Sequence, residues 1–190
     1  MTAHRPSVIV MYHFFYPDDV VSARHFSQFA EELVKHGWHV TILTSNRFCR
    51  NTKKKIVKRD ELWRGMKIIR IRRPAWNQAK GFLRLANSAW LMLAWSLEIC
   101  KLPRADVIIV GSDPQFSALL FPVFRALKRG KLLVHWCFDL YPDAIIADGA
   151  KGSVRWFAEK LAFLMRWAYR SVDLMVDIGQ KIKKRLSTYY

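Results

Sequence analysis

The chain has 190 residues, of which 52% are hydrophobic and 25% are charged. This length suits one well-packed domain and is too short for two full α/β lobes, and the composition is that of an ordered chain. Its 32 Lys and Arg outnumber its 15 Asp and Glu, which gives a formal net charge of +17. Such an excess indicates an anionic partner, whether nucleic acid, anionic lipid or a phosphorylated substrate.

The positive charge is concentrated in residues 47–73, which we call the basic segment. It holds twelve Lys and Arg residues, against only Asp60 and Glu61. A basic loop and strand edge therefore carry much of the electric field of the chain.

The cysteine content and the start of the chain both indicate a cytoplasmic protein. The cysteines are odd in number and have neither CxxC nor Cys/His spacing, so neither a disulfide framework nor a zinc site is indicated. They are Cys49, Cys100 and Cys137. No apolar signal core precedes the first strand-like run, so no secretion signal is predicted.

Strand-like runs and helical patterns alternate along the chain. In chain order we predict a strand at Ser7–Tyr12, a helix at Ser22–His36, strands at Trp38–Thr44 and Lys67–Arg72, a helix at Ala79–Leu102, a strand at Asp106–Val110, a helix at Phe116–Leu127, a strand at Lys131–Trp136, a helix at Ser153–Ser171, a strand at Val172–Val176 and a helix from Gly179. Most strand runs are continuously apolar, which is typical of strands covered on both faces. The pattern predicts a single α/β domain over residues 1–190, with a doubly wound, mostly parallel sheet and helices on both faces.

Three residues predict where helices begin, end or break. Gly37 is placed to end the first helix, Pro122 should kink the third or mark a break, and Ser153 is a candidate N-cap for the fourth.

The helix at Ala79–Leu102 has an unusual distribution of polar residues. Its polar side chains share one face with Leu91 and Trp95, and the remaining faces are almost wholly apolar. We therefore expect cover beyond the sheet, and a bilayer interface supplies it, with Trp90, Leu91 and Trp95 as membrane contacts. Burial under a partner domain or under the basic segment is an equal alternative. Charged residues interrupt the tract, which weakens a membrane-spanning interpretation.

Ligands of open parallel sheets bind beyond the carboxyl ends of the strands, and three segments follow such ends. The first, residues 13–24, leads into a helix whose N-terminus favours an anion, although a plain capped loop is an equal alternative. Its candidate substrate-binding residues are Tyr16, Asp18, Ser22 and Arg24. Neither GxGxxG nor a Walker loop is present.

The second segment, residues 111–116, contains Gly111, which permits close approach of another group to the backbone. Ser112, Asp113 and Gln115 are candidate substrate-binding residues, because their polar groups suit a sugar hydroxyl. Capping of the next helix accounts for them equally well.

The third segment, residues 139–143, holds the candidate catalytic carboxylates Asp139 and Asp143. They are close enough in sequence to share a cleft and to orient or deprotonate an attacking hydroxyl. The alternative is turn-forming aspartate before a helix. His135, inside the preceding strand, is expected to be a core histidine.

At these residues the chain resembles the N-terminal domain of family 4 glycosyltransferases, especially bacterial enzymes that extend lipid-linked saccharides for cell-surface polysaccharides. The resemblance covers nearly the whole chain, and its motifs occur in the family's order. They are residues 16–19, 32–45, 107–112, 139–143 and 166–173.

The resemblance implies a GT-B architecture of two Rossmann-like lobes. The N-terminal lobe binds the acceptor, here an undecaprenyl-diphosphate-linked sugar at the inner face of the cell membrane, and the C-terminal lobe binds a nucleotide-sugar. It also implies retention of anomeric configuration and no bound metal or other cofactor.

Two departures from the family pattern stand out. The family's Gly-Gly pair after the first strand is replaced by residues 19–23, and Phe138 stands where many members have histidine before the aspartate. The donor-binding lobe is not among these residues, so the chain is expected to be inactive or weak alone, as a subunit or truncated form of a larger enzyme.

Two other classes of function are compatible with the sequence. A basic α/β module for nucleic acid would account for the charge, but no RNP-like, helix-turn-helix or zinc-finger pattern is present. A noncatalytic membrane scaffold that recruits a donor-binding subunit differs from the transferase only in whether its cleft is used.

Overall fold

The computed structural model describes residues 5–51, 53–56, 58–147, 149 and 151–189, apart from the side chain of Ile145. Its strands are β1 (Ser7–Met11), β2 (His39–Ser45), β3 (Asp60–Trp63), β4 (Met66–Ile71), β5 (Ala105–Gly111), β6 (Gly130–Cys137) and β7 (Leu174–Asp177). Its helices are α1 (Val21–Lys35), α2 (Gly81–Lys101), α3 (Leu120–Ala126), α4 (Asp143–Ala147), α5 (Gly152–Tyr169) and α6 (Gln180–Leu186). A 3-10 turn at Ser117–Leu119 precedes α3.

These strands form one sheet in the order β3-β4-β2-β1-β5-β6-β7, and every neighbouring pair is parallel except β3 with β4. The predicted fold class is confirmed, and each of the six predicted strands overlaps an observed one. The central strand β1 lies between β2 and β5, with Met11 aligned to Leu43 and Val110. The carboxyl ends of these three strands therefore meet at one edge of the sheet.

Helices cover both faces of the sheet, which explains why the strand runs are continuously apolar. On one face, Phe26 and Ala30 of α1 pack against the strands. On the other face, the core includes Trp95 of α2, Phe121 of α3 and Met165 of α5.

The sequence analysis missed β3, an antiparallel edge strand inside the basic segment. It is joined to β4 by a two-residue turn in which Arg64 and Gly65 both have positive φ, the geometry that suits a tight hairpin. Its Glu61 pairs with the buried Arg70 of β4 at 2.5 Å (Oε2 to Nη1). Because β3 begins with charged residues, it shows no apolar pattern in the sequence, and its Glu61 is paired across the hairpin.

Helix α2 buries in the core two of the three residues that were predicted to face the membrane. Its partly polar stripe is the buried one, with Leu91 and Trp95 fully enclosed in the core, whereas Leu93 and Leu97 are exposed. The prediction that Leu91 and Trp95 contact a membrane is therefore wrong. Trp90 remains 46% exposed, and its indole Nε1 donates to the Arg72 carbonyl.

Asn87 and Glu98 of the buried stripe are tolerated because each makes at least one hydrogen bond, although Asn87 Oδ1 has no partner among the described residues. Asn87 Nδ2 donates to the Trp76 carbonyl at 3.3 Å, and Glu98 pairs with Arg59 at 2.7 Å and with Lys101 at 3.2 Å. A buried polar group that keeps its hydrogen bonds costs little, so the stripe packs against the sheet.

Two local helix predictions, the Pro122 break and the Ser153 cap, are wrong. The 3-10 turn gives way to α3 just before Pro122, which lies in the first turn of α3, where a missing backbone N–H leaves no helical bond unmade. Leu119 and Leu120, where the 3-10 turn passes into α3, both have right-handed helical dihedrals, so the break predicted from Pro122 is not observed. The Ser153 cap is not observed either, because Lys151 occupies the N-cap of α5 and no side chain caps the helix.

Candidate functional site

A cleft of about 350 Å³ lies at the edge where the carboxyl ends of β1 and β5 meet, and all three predicted segments reach it. The residues that line it are Tyr12, His13, Phe14, Val20, Ser22, Cys49, Gln78, Arg84, Asp113, Gln115, Asp139 and Tyr141. Four of these were predicted as site residues, namely Ser22, Asp113, Gln115 and Asp139. The others were not assigned a role in the sequence analysis.

The central feature of the cleft is a histidine–aspartate pair. His13 Nδ1 lies 3.0 Å from Asp113 Oδ1. Because an ionised carboxylate only accepts hydrogen bonds, Nδ1 carries a proton in this pair, and in the neutral form of the ring Nε2 then has a lone pair. Nε2 is buried and has no hydrogen-bond partner among the described residues. The pair therefore presents the arrangement of a base oriented by a carboxylate.

The backbone of His13 is held as firmly as its ring. Its N–H donates to the Asp113 carbonyl at 3.1 Å, and its carbonyl accepts from the Ser45 N–H and the Thr44 hydroxyl. The ring stacks on Phe14 with centroids 4.0 Å apart. His13 belongs to the first predicted segment but was given no role there, although its place just beyond the central strand was a usable signal.

Asp139 is positioned by a bond network between the exits of β5 and β6. The Ser112 hydroxyl accepts from the backbone N–H groups of Phe138 and Asp139, both at 3.0 Å. Ser112 itself is buried, so its part is to fix the turn that carries Asp139 into the cleft.

Two tyrosines give the cleft neutral phenol groups. Burial raises the pKa of Tyr141 to about 12, and its side chain is hydrogen-bonded to Gln115. Burial also raises the pKa of Tyr12, which is hydrogen-bonded to Ser22. Both phenols stay protonated at neutral pH and suit recognition of sugar hydroxyls.

Gly111 is required at the end of β5 by the close approach of another side chain, as predicted. A Cβ there would lie 2.3 Å from Tyr12 Cδ2 and 2.8 Å from Phe26 Cζ. The Tyr12 and Phe26 rings stack with centroids 4.1 Å apart over this position. A larger residue would displace the aromatic wall of the cleft.

Asp143 does not join Asp139 in the cleft. It begins α4 and pairs with Arg185 of α6 at 2.5 Å, while the Tyr189 hydroxyl donates to its other oxygen. The prediction of a shared catalytic site is corrected, because the C-terminal residues draw this carboxylate into a contact between α4 and α6.

Four predicted substrate-binding residues lie outside the lining of the cleft: Ser112, described above, and three residues of the first segment. Asp18 is buried and accepts from the Cys49 N–H at 2.6 Å, so it holds the first loop to the basic segment. Tyr16 stacks on Trp63 with centroids 4.2 Å apart, and Arg24 is exposed on α1. The side chains of this loop that reach the cleft are instead His13, Phe14, Val20 and Ser22.

Arg73, just after β4, is an unusual buried cation near the cleft. Its side chain is fully enclosed, and its three guanidinium nitrogens have no hydrogen-bond partner within the described part of the chain. Burial lowers its pKa to about 10, opposed by the Asp113 carboxylate. The group stays charged at neutral pH and adds positive potential on the Asp113 side of the cleft.

His135 is a core residue, as predicted. It is 1% exposed, and its Nδ1 lies 2.9 Å from the Val110 carbonyl. Burial lowers its pKa to about 4, so it is neutral at physiological pH.

Within the described ranges, no three His, Cys, Asp or Glu side chains are grouped to hold a metal ion. None of the helices described above has the length and apolar character needed to cross a bilayer.

The fold and the cleft together define a Rossmann-like lobe of the GT-B type. Residues 22–189 match the sequence model of the glycosyl transferase 4-like domain, so the chain belongs to that family. A comparison with curated protein sequences gives no significant match.

Solved structures support the fold. Sucrose-phosphate synthase from Thermosynechococcus elongatus matches 97% of this chain and 45% of its own, with a TM-score of 0.68 and 13% identity. The catalytic domain of starch synthase IV from Arabidopsis thaliana, bound to ADP and acarbose, matches 70% of this chain and 34% of its own, with a TM-score of 0.54 and 12% identity. The chain therefore spans less than half the length of either structure.

Proposed function

We propose that this chain is the acceptor-binding lobe of a glycosyltransferase that transfers a sugar from a nucleotide-sugar to a lipid-linked saccharide in polysaccharide biosynthesis. The observation that carries the proposal is the oriented His13–Asp113 pair in a polar cleft at the carboxyl edge of the sheet. Membership of the glycosyl transferase 4-like family supports the reaction class.

The chemistry assigns a role to each group. A hydroxyl of the acceptor sugar donates to His13 Nε2, which draws off its proton as the oxygen bonds to the anomeric carbon of the donor. The bond from that carbon to the phosphate breaks, and the nucleoside diphosphate leaves. Asp113 stabilises the resulting imidazolium, while Asp139, Gln115 and Tyr141 bind the other hydroxyls of the acceptor. We propose retention of the anomeric configuration, as the family resemblance implies, which requires the acceptor oxygen to approach the anomeric carbon from the same face that the phosphate leaves.

The nucleotide-sugar requires a second lobe. A GT-B site forms between two lobes, and the described cleft supplies one wall. The donor-binding lobe therefore lies outside residues 1–190, either in a continuation of the same polypeptide or in a separate subunit. No metal or organic cofactor is part of this proposal.

A different helix from the one predicted supports attachment to the inner face of the cell membrane. Helix α5 exposes a row of large apolar side chains: Val154, Trp156, Phe157, Phe163, Leu164 and Trp167. Exposed cations alternate with them, namely Arg155, Lys160, Arg166 and Arg170. Aromatic residues at headgroup depth with neighbouring cations suit an anionic bilayer surface. We call this surface the α5 face.

Vesicle binding tests the α5 face. We expect Phe163→Glu with Trp167→Glu to weaken binding to anionic phospholipid vesicles at least tenfold, about 1.4 kcal/mol, because two exposed aromatic anchors are replaced by repelled charges. The matched control is Val21→Glu with Leu62→Glu, which adds the same charge at positions exposed by 70% and 78% elsewhere. Equal binding by both double variants would overturn the assignment.

The transfer assay tests the function itself. The chain is combined with its donor-binding lobe, labelled nucleotide-sugars and an undecaprenyl-diphosphate-linked saccharide in vesicles. We expect labelled lipid product that depends on both lobes. Acceptor and donor-lobe binding without product would indicate the noncatalytic scaffold. Preference for RNA over anionic vesicles at matched salt would indicate the nucleic-acid module.

A further inference from the structure

A second, apolar groove of about 500 Å³ runs between the first turn of α2 and the first half of α5. Its apolar walls are Phe82, Leu85, Phe116, Val154, Phe157 and Leu161. This volume lies within the roughly 300–1,000 Å³ of small-molecule sites. Phe82 is 80% exposed, and Val154 and Phe157 are each 55% exposed, so the apolar surface is open.

The groove is continuous with the polar cleft. Arg84 and Gln115 line both cavities, so they mark the boundary between them. Gln115 is 6% exposed and is held by Tyr141, whereas Arg84 is exposed and pairs with no carboxylate of the described residues. The boundary therefore offers an available cation where an apolar channel meets a polar one.

The other end of the groove opens on the α5 face. Val154 and Phe157 belong to both surfaces. A molecule embedded in a bilayer at the α5 face therefore has an apolar path to the cleft that passes Arg84.

We propose that the groove binds the hydrocarbon chain of a lipid phosphate or diphosphate, with the phosphate at Arg84 and the attached sugar in the cleft. The inference rests on the proposed function and names the part of the acceptor that this surface recognises. Charge complementarity decides the occupant, because an apolar protein segment would leave Arg84 without an anion.

Equilibrium binding to the purified chain, measured by calorimetry below the micelle concentration, tests this site with farnesyl diphosphate, farnesol and inorganic diphosphate. We expect Phe157→Glu to weaken farnesyl diphosphate and farnesol at least tenfold. Arg84→Gln should weaken farnesyl diphosphate and inorganic diphosphate and leave farnesol unchanged. Leu93→Glu, at an exposed position of α2 outside the groove, should leave all three unchanged.

The site is overturned if farnesyl diphosphate binds Phe157→Glu as tightly as the parent, or if Leu93→Glu weakens it equally, which would indicate adsorption to exposed apolar side chains outside the groove. Val154→Glu replaces Phe157→Glu should the latter unfold. If lipid binding changes in these variants as expected but no sugar is transferred, the proposed function alone is refuted. If sugar transfer depends on His13 but the groove variants bind lipid as tightly as the parent, this inference alone is refuted.

Discussion

Replacement of His13 by Gln is expected to slow sugar transfer by about 10²–10⁴-fold, the usual contribution of a positioned general base. The glutamine amide keeps a polar group in the ring's place beside Asp113 but cannot accept the proton of a hydroxyl. Transfer rates over a range of acceptor concentrations measure the effect. We expect it in kcat, with KM changed less, because the lost proton transfer belongs to the transition state.

His39→Gln is the matched control. His39 is an exposed histidine at the start of β2, the opposite end of the strand from the cleft. Its replacement should leave kcat unchanged. A His13→Gln enzyme that transfers sugar at the parental rate would remove His13 from the mechanism, and the leaving phosphate would then be the group that accepts the proton.

Asp113→Asn tests whether Asp113 orients the His13 ring for catalysis or only contributes to the packing of the protein. The amide can donate as well as accept, so the proton is no longer confined to His13 Nδ1. We expect kcat to fall at least tenfold, about 1.4 kcal/mol, with the melting temperature close to that of the parent. A purely structural role for Asp113 would give the reverse, a lower melting temperature with normal kcat.

Leu91→Ala is expected to lower the free energy of unfolding by about 2–5 kcal/mol, the cost of a cavity in a packed core. Leu91 is fully buried beneath the sheet, and its neighbour Trp95 is equally enclosed. Leu93→Ala is the matched control on the same helix, because Leu93 is 59% exposed and should change stability by about 0.5 kcal/mol or less.

Urea unfolding followed by circular dichroism measures both variants. Equal free energies of unfolding would contradict the observed orientation of α2. A Leu91→Ala protein that keeps parental stability but loses vesicle binding would restore the original prediction of a membrane-facing Leu91.

The regular framework was predictable because it depends on local patterns. Continuous apolar runs such as Asp106–Val110 indicate strands buried on both faces, and the observed β5 covers that run. The exception is β3, an edge strand that begins with Asp60 and Glu61 and pairs with β4. Its Glu61 forms an ion pair with Arg70 across the hairpin, and charged residues of this kind leave no continuous apolar run.

Helix α2 shows where pattern alone fails. Its mostly apolar faces predicted cover beyond the sheet, and Leu91 and Trp95, which share the stripe of Asn87 and Glu98, were predicted as membrane contacts. The choice of buried face depends on side-chain volume and available partners, and Trp95 fills the space under the sheet while the Trp76 carbonyl and Arg59 satisfy the polar groups. Those partners are distant enough along the chain that no helical period reveals them.

The sequence by itself determined that this is an α/β domain with a parallel sheet, and that residues 13–24, 111–116 and 139–143 follow strand ends. Only the tertiary structure decided which side chains meet there. His13 and Asp113 are 100 residues apart and become neighbours because β1 and β5 are adjacent in the sheet, whereas Asp143 is drawn away by Arg185. Strand order and helix docking are set by the packing of the whole core, so the partners of a polar residue emerge only after that core has formed.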